Sequence, residues 1–118
     1  MFHEHGDLRG RTFDLGRRVA SLFIAIPRGN RLGQIYGEQL VRSANSVGSN
    51  YREAQRGRSV AEYRAKLGDC LREADETLYW IECLEADGVF RAPRLASLKT
   101  EANELLAIFV TLLRRKPG

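Results

Sequence analysis

Eight basic residues gather in three short clusters: Arg17 and Arg18; Arg52, Arg56 and Arg58; and Arg114, Arg115 and Lys116. Arginine outnumbers lysine sixteen to three, and its guanidinium presents a fork of N–H groups that matches a phosphate or a carboxylate. Arg52 and Arg56 stand four apart, so on a helix they share a face. Two readings stay open for their cluster. The arginines contact nucleic-acid phosphates, or they pair with Glu53, Glu62 or a second subunit, and the residues alone favour the second. For Arg114, Arg115 and Lys116, complementing the negative end of a helix is a sufficient role. Arg17 and Arg18 form a further surface pair.

Glu73, Asp75 and Glu76 invite a metal or acid–base reading. A di-metal helical bundle needs carboxylates from several helices together with Glu-x-x-His pairs. Here the only histidines are His3 and His5, at the N-terminus, with no supporting groups to orient them. No metal site is expected. Glu73 or Glu76 is expected to receive Arg42 or Arg52 instead, a pairing that sets helix register. Neither Cys70 nor Cys83 has a histidine near it in sequence, no nucleophile turn is present, and no glycine-rich phosphate loop occurs. The chain is therefore read as non-enzymatic, with no catalytic residue, no cofactor and no small-molecule substrate.

The elements that must position these groups are helical. Apolar residues recur at helical spacing in four segments, about 11–26, 32–56, 60–87 and 93–115. Pro27, Gly29 and Asn30 end the first, Gly57 the second and Asp87–Gly88 the third. Ser59 and Glu62 form a capping box that opens the third, and Pro93 suits the first turn of the fourth. Short connections between amphipathic helices predict an antiparallel up-down-up-down four-helix bundle in a single domain over residues 1–118. The second segment is unusual. Gly33, Gly37 and Gly48 each cost about 1 kcal/mol against alanine in a helix interior, so close packing on a neighbour must compensate. Ser46, Ser49, Asn50 and Glu53 are read as the packing or interface face of that segment, with polar groups fixing register. Tyr79 and Trp80 are adjacent and so point about 100° apart. One is expected on the core and the other at a boundary or subunit interface, with Trp80 a helix-packing or interface candidate.

Composition agrees with a small ordered domain: 118 residues, 43% hydrophobic, three Pro and a net charge of +4. The charge is uneven. Residues 1–60 carry ten arginines and five acids, whereas residues 61–118 carry nine basic and ten acidic residues. A sequence pI of about 9.4 makes nucleic acid a reasonable partner class. The longest apolar-rich runs fall short of the roughly 20 residues needed to span a bilayer. No apolar core marks a secretory signal in the first eleven residues. Cys70 and Cys83 sit about 20 Å apart along one helix, too far to bridge. A reduced, cytoplasmic protein with no membrane contact is the expectation.

The segment QLVRSANSVGSNYREA (Gln39–Ala54), followed by SVAEYRAKLGDCLREADETLYWIECLEADG (Ser59–Gly88), resembles the four-helix-bundle proteins encoded in intervening sequences of bacterial 23S ribosomal RNA genes. The resemblance runs from about Leu8 to Leu113. It is most specific at Ser46, Ser49, Asn50 and Glu53 and in the block Lys66–Trp80. That family is also similar to the accessory protein of diversity-generating retroelements, a pentamer of four-helix protomers that binds a reverse transcriptase and RNA through a basic surface. The resemblance implies a helical bundle, a homo-oligomer with five copies as first expectation, RNA or a reverse-transcriptase-type protein as partner, and no catalytic activity. The alternative is a structural scaffold whose arginines pair between subunits.

Overall fold

The computed structural model describes residues 6–115, and four α-helices carry them: α1 (Leu8–Ile24), α2 (Arg31–Gln55), α3 (Val60–Ala86) and α4 (Ala92–Arg114). His3, His5 and Lys116 lie outside the described residues. Local signals account for most boundaries. The Asn30 side chain accepts from the Gly33 amide at 2.9 Å, and Ser59 accepts from Glu62 at 3.1 Å. Glu62 reaches back to the Arg58 amide, one residue beyond the usual box. At the end of α3, Val89 N–H bonds to Leu84 O and Gly88 N–H to Glu85 O, with Gly88 at φ +70°. This is the left-handed stop that glycine supplies without steric cost.

Both boundaries of the first helix differ from the expectation. Helix α1 starts at Leu8, not near Arg11, and ends at Ile24. Leu8 is buried, and its contact with the core outweighs the poor propensity of Gly10 in the first turns.

The helices pack antiparallel, as their side-chain pairings show. Between α1 and α2 Arg17 meets Asn45, and Phe23 lies over Gly37. Arg42 meets Glu76 and Lys66 meets Glu53 between α2 and α3. Between α3 and α4 Lys99 meets Glu85, and Arg64 reaches the Leu113 carbonyl. Arg11 and Arg18 of α1 meet Glu101 and Ser97 of α4. In each pair of helices one number falls as the other rises. The result is a bundle of 51 × 22 × 22 Å. The core runs its length through Leu15, Val19, Leu40, Leu67, Ile81, Leu105 and Phe109, all fully buried.

The expected compensation for α2 is visible. Gly33, Gly37, Ala44 and Gly48 lie on one buried face. An added Cβ at Gly37 would sit 2.4 Å from the Phe23 ring, and one at Gly48 would sit 3.3 Å from the Thr12 carbonyl. The missing side chains are what let α1 approach.

Candidate nucleic-acid interface

Antiparallel packing sets the start of α1, the end of α2, the start of α3 and the end of α4 at one end of the bundle. Two basic clusters far apart in sequence therefore share that end: Arg52, Arg56 and Arg58 from α2 and its turn, and Arg114 and Arg115 from α4. Arg64 of α3 ties the second cluster down, donating to the carbonyls of Leu113 and Arg115 at 2.6 and 3.1 Å.

The local carboxylates proposed as partners are already engaged. Glu53 pairs with Lys66 at 3.5 Å, and Glu62 serves the helix cap. Among the described residues no carboxylate pairs with Arg52, Arg56, Arg58 or Arg114, and all four are exposed. Arg56 and Arg58 instead border a shallow depression with Gly57, Ala65 and Lys66.

Arg17 and Arg18 do not act together. About 100° apart on α1, they go to different seams. Arg18 donates to Ser97 Oγ on α4 at 2.7 Å. Arg17 leans toward α2, donating to Asn45 Oδ1 at 2.7 Å. There it meets Arg52 over a residue that sequence reasoning missed. The two guanidinium carbons lie 5.3 and 5.5 Å from the Phe13 ring centroid, within cation–π range. Phe13 is 53% exposed and borders a groove of about 260 Å³ lined also by Thr12, Asn45, Gly48, Ser49 and Arg52. A signal was present: Phe13 lies off the apolar stripe of α1, with Arg17 one turn on.

The carboxylate cluster chooses Arg42. Its guanidinium bonds Glu76 and lies 3.5 Å from Glu73, and the Trp80 indole donates to Glu76 at 3.2 Å. The bond from Arg42, helped by Trp80, holds Glu76 below the ordinary carboxylate range; burial pushes Glu73 up. Arg52 turns instead to Phe13, and Asp75 faces outward. No group of three or more His, Cys, Asp or Glu among the described residues is placed to hold a metal ion.

None of Ser46, Ser49, Asn50 and Glu53 is fully buried within the protomer. Within the protomer the contact with α1 and α3 is made by Ser43, Ala44, Val47 and Gly48, all buried. Ser49 and Glu53 are exposed, and Ser46 and Asn50 are half-buried, with Asn50 donating to the Ser46 carbonyl at 2.9 Å. The helical period explains this: the face of Gly33, Gly37 and Ala44 continues to Gly48, and Ser49 lies about 100° round from it. Trp80 packs half-buried on Tyr36, ring centroids 6.0 Å apart, while Tyr79 is exposed. Cys70 is buried, its thiol pushed up to about 12 by that burial.

No helix of the described residues is long and apolar enough to cross a membrane. No curated protein matches the chain. A crystal structure of a protein with unknown function from the S23 ribosomal protein family of Bacteroides thetaiotaomicron VPI-5482 superposes with a TM-score of 0.84. It shares 24% identity, over 92% of this chain and 99% of that one, which establishes likeness of fold. The family profile described as 23S rRNA-intervening sequence protein matches residues 10–111. With a profile match over that span, the chain belongs to the 23S rRNA-intervening sequence protein family.

Proposed function

We propose that the protein is a non-catalytic, self-associating module that binds RNA, or an RNA–protein complex, through the basic end of its bundle. The observation that carries this reading is the convergence there of Arg52, Arg56, Arg58 and Arg114, with no carboxylate partner among the described residues. Desolvating arginines costs free energy unless something anionic meets them, and phosphates do so while releasing counterions. The family's association with ribosomal RNA genes supports RNA as the polyanion. Self-association, with five copies as the first expectation, would multiply a few contacts per protomer into many at high effective concentration. A reverse-transcriptase-type protein is the protein partner that the resemblance brings, and the cytoplasm the expected compartment.

A scaffold is the second reading. Asp75 and Glu82 are exposed on α3, where arginines of another copy would find them.

Titrating RNA into wild type and into an Arg52→Ala/Arg56→Ala variant, from about 50 to 300 mM salt, separates the two. The RNA reading expects a steep salt dependence in wild type, flattened in the variant by roughly one slope unit per lost phosphate contact. Absence of binding near physiological salt, or equal binding by the variant, overturns it. A variant that loses particle mass by light scattering would support the scaffold.

A further inference from the structure

We infer that the groove between α1 and α2 at Phe13 is a site for one unpaired nucleobase, with Arg17 and Arg52 set to meet the phosphates on either side of it. The inference rests on the RNA reading and narrows it to single strands.

Phe13 is a large apolar ring, 53% exposed, at a position where the folded protomer does not need it. Two guanidinium groups from different helices sit over the ring at 5.3 and 5.5 Å from its centroid, close enough to swing to phosphates as a base takes their place on the ring. No carboxylate among the described residues pairs with either. Beside the ring lies open space of about 260 Å³. Gly48 forms part of the groove wall beside Thr12, where its missing side chain lets the α1 backbone come close.

The polar edge is also fixed. Asn45 accepts from Arg17 through Oδ1 at 2.7 Å and donates through Nδ2 to the Val41 carbonyl at 2.8 Å. Its amide is thus held in one orientation with a second N–H and a second lone pair to spare. Ser49 adds a hydroxyl on the same wall.

An apolar ring face, a fixed amide and two flanking cations match the parts of a nucleotide: a flat base, its polar edge and its phosphates. In a duplex the base faces are stacked away, so only an unpaired nucleotide satisfies all three. Arg56 lies one helical turn beyond Arg52, about 6 Å along α2, and extends the line of positive charge for the next phosphate.

The test uses a short single-stranded oligoribonucleotide carrying one fluorescent adenine analogue, alongside its blunt-ended duplex. The proteins are wild type, Phe13→Leu, Ser49→Leu and Arg52→Ala. Phe13 and Ser49 are exposed, so both leucine variants are expected to keep wild-type helicity and melting temperature. Stacking on Phe13 quenches the analogue, and Phe13→Leu abolishes the quench and weakens single-strand binding about tenfold or more. The salt slope is expected to stay unchanged, because no charge is lost. Ser49→Leu fills the groove and gives the same loss, whereas Arg52→Ala flattens the slope. Duplex binding is expected to be equal in wild type and Phe13→Leu.

If wild type binds neither RNA, the RNA reading fails and this site with it. If both RNAs bind and the two leucine variants bind as wild type does, the base site alone is overturned and the charge-based reading stands. A fall in particle mass for Phe13→Leu also overturns the base site, and makes the groove a contact between copies.

Discussion

At Arg42 one guanidinium faces two carboxylates whose surroundings differ. Glu76 is bonded by Arg42 and Trp80 and held low, whereas Glu73 is pushed up chiefly by burial, and its Oε1 has no hydrogen-bond partner. Arg42 is 48% exposed, so solvent screens the pairing and Arg42→Ala is expected to cost about 1 kcal/mol, between exposed and buried pairs. The pH dependence has a definite sign. A depressed carboxylate stabilises above its unfolded pKa of about 4.3, and that share is lost as pH falls through the lower folded value. Glu73, raised, takes up its proton at higher pH and sheds its burial cost. Urea unfolding of wild type and Arg42→Ala should therefore differ most near pH 7 and converge on acidification. A deficit that stays constant down to about pH 3.5 would mean that Arg42 acts through packing alone. The sequence made Arg42 and Arg52 equal candidates for these glutamates. Ten residues along a helix turn a side chain about 80°, and only the placement of α1 and α3 shows which direction leads to α3.

At the scale of the element, α2 gives up intrinsic helix propensity for proximity. Its glycines and the glycine of α3 make opposite predictions. A Cβ at Gly37 would lie 2.4 Å from Phe23 Cδ1 and 2.9 Å from Ile26 Cδ1. Gly37→Ala is therefore expected to destabilise by about 1–3 kcal/mol despite the better helix former. Gly68 has nothing within 4 Å of its would-be Cβ, so Gly68→Ala should stabilise by up to about 1 kcal/mol. Denaturant midpoints at unchanged slope read both signs. If Gly37→Ala were to stabilise, α1 would not be held by close approach at that point. The cost of these glycines was legible in the sequence, as were all four helices from their apolar periodicity. Their beneficiary was not, because a contact with Phe23 or Thr12 depends on which helix lies alongside. The same limit hid the Phe13 groove. Arg17 and Arg18 looked like one pair because they are neighbours in sequence, yet the helical turn sends one to Asn45 on α2 and the other to Ser97 on α4.

Over the whole molecule, the antiparallel path converts sequence position into polarity along a 51 Å rod. The α2–α3 turn, with Arg56 and Arg58, lies at the end shared with Arg114. The α1–α2 connection, with Arg28 and Arg31, lies at the other. Both pairs are exposed, and neither pairs with a carboxylate among the described residues. Two double variants, Arg56→Ala/Arg58→Ala and Arg28→Ala/Arg31→Ala, thus have the same net charge and differ only in where the charge is missing. Diffuse attraction governed by net charge would weaken RNA binding equally in both. A contact surface at the basic end predicts a flatter salt slope for Arg56→Ala/Arg58→Ala, by about one unit per lost contact, with the other variant keeping nearly the wild-type slope. Isotherms at several salt concentrations separate the cases. Equal slopes would remove the end-on geometry while leaving RNA binding intact, and the reverse order would move the interface to the opposite end, beside Tyr36 and Asp87.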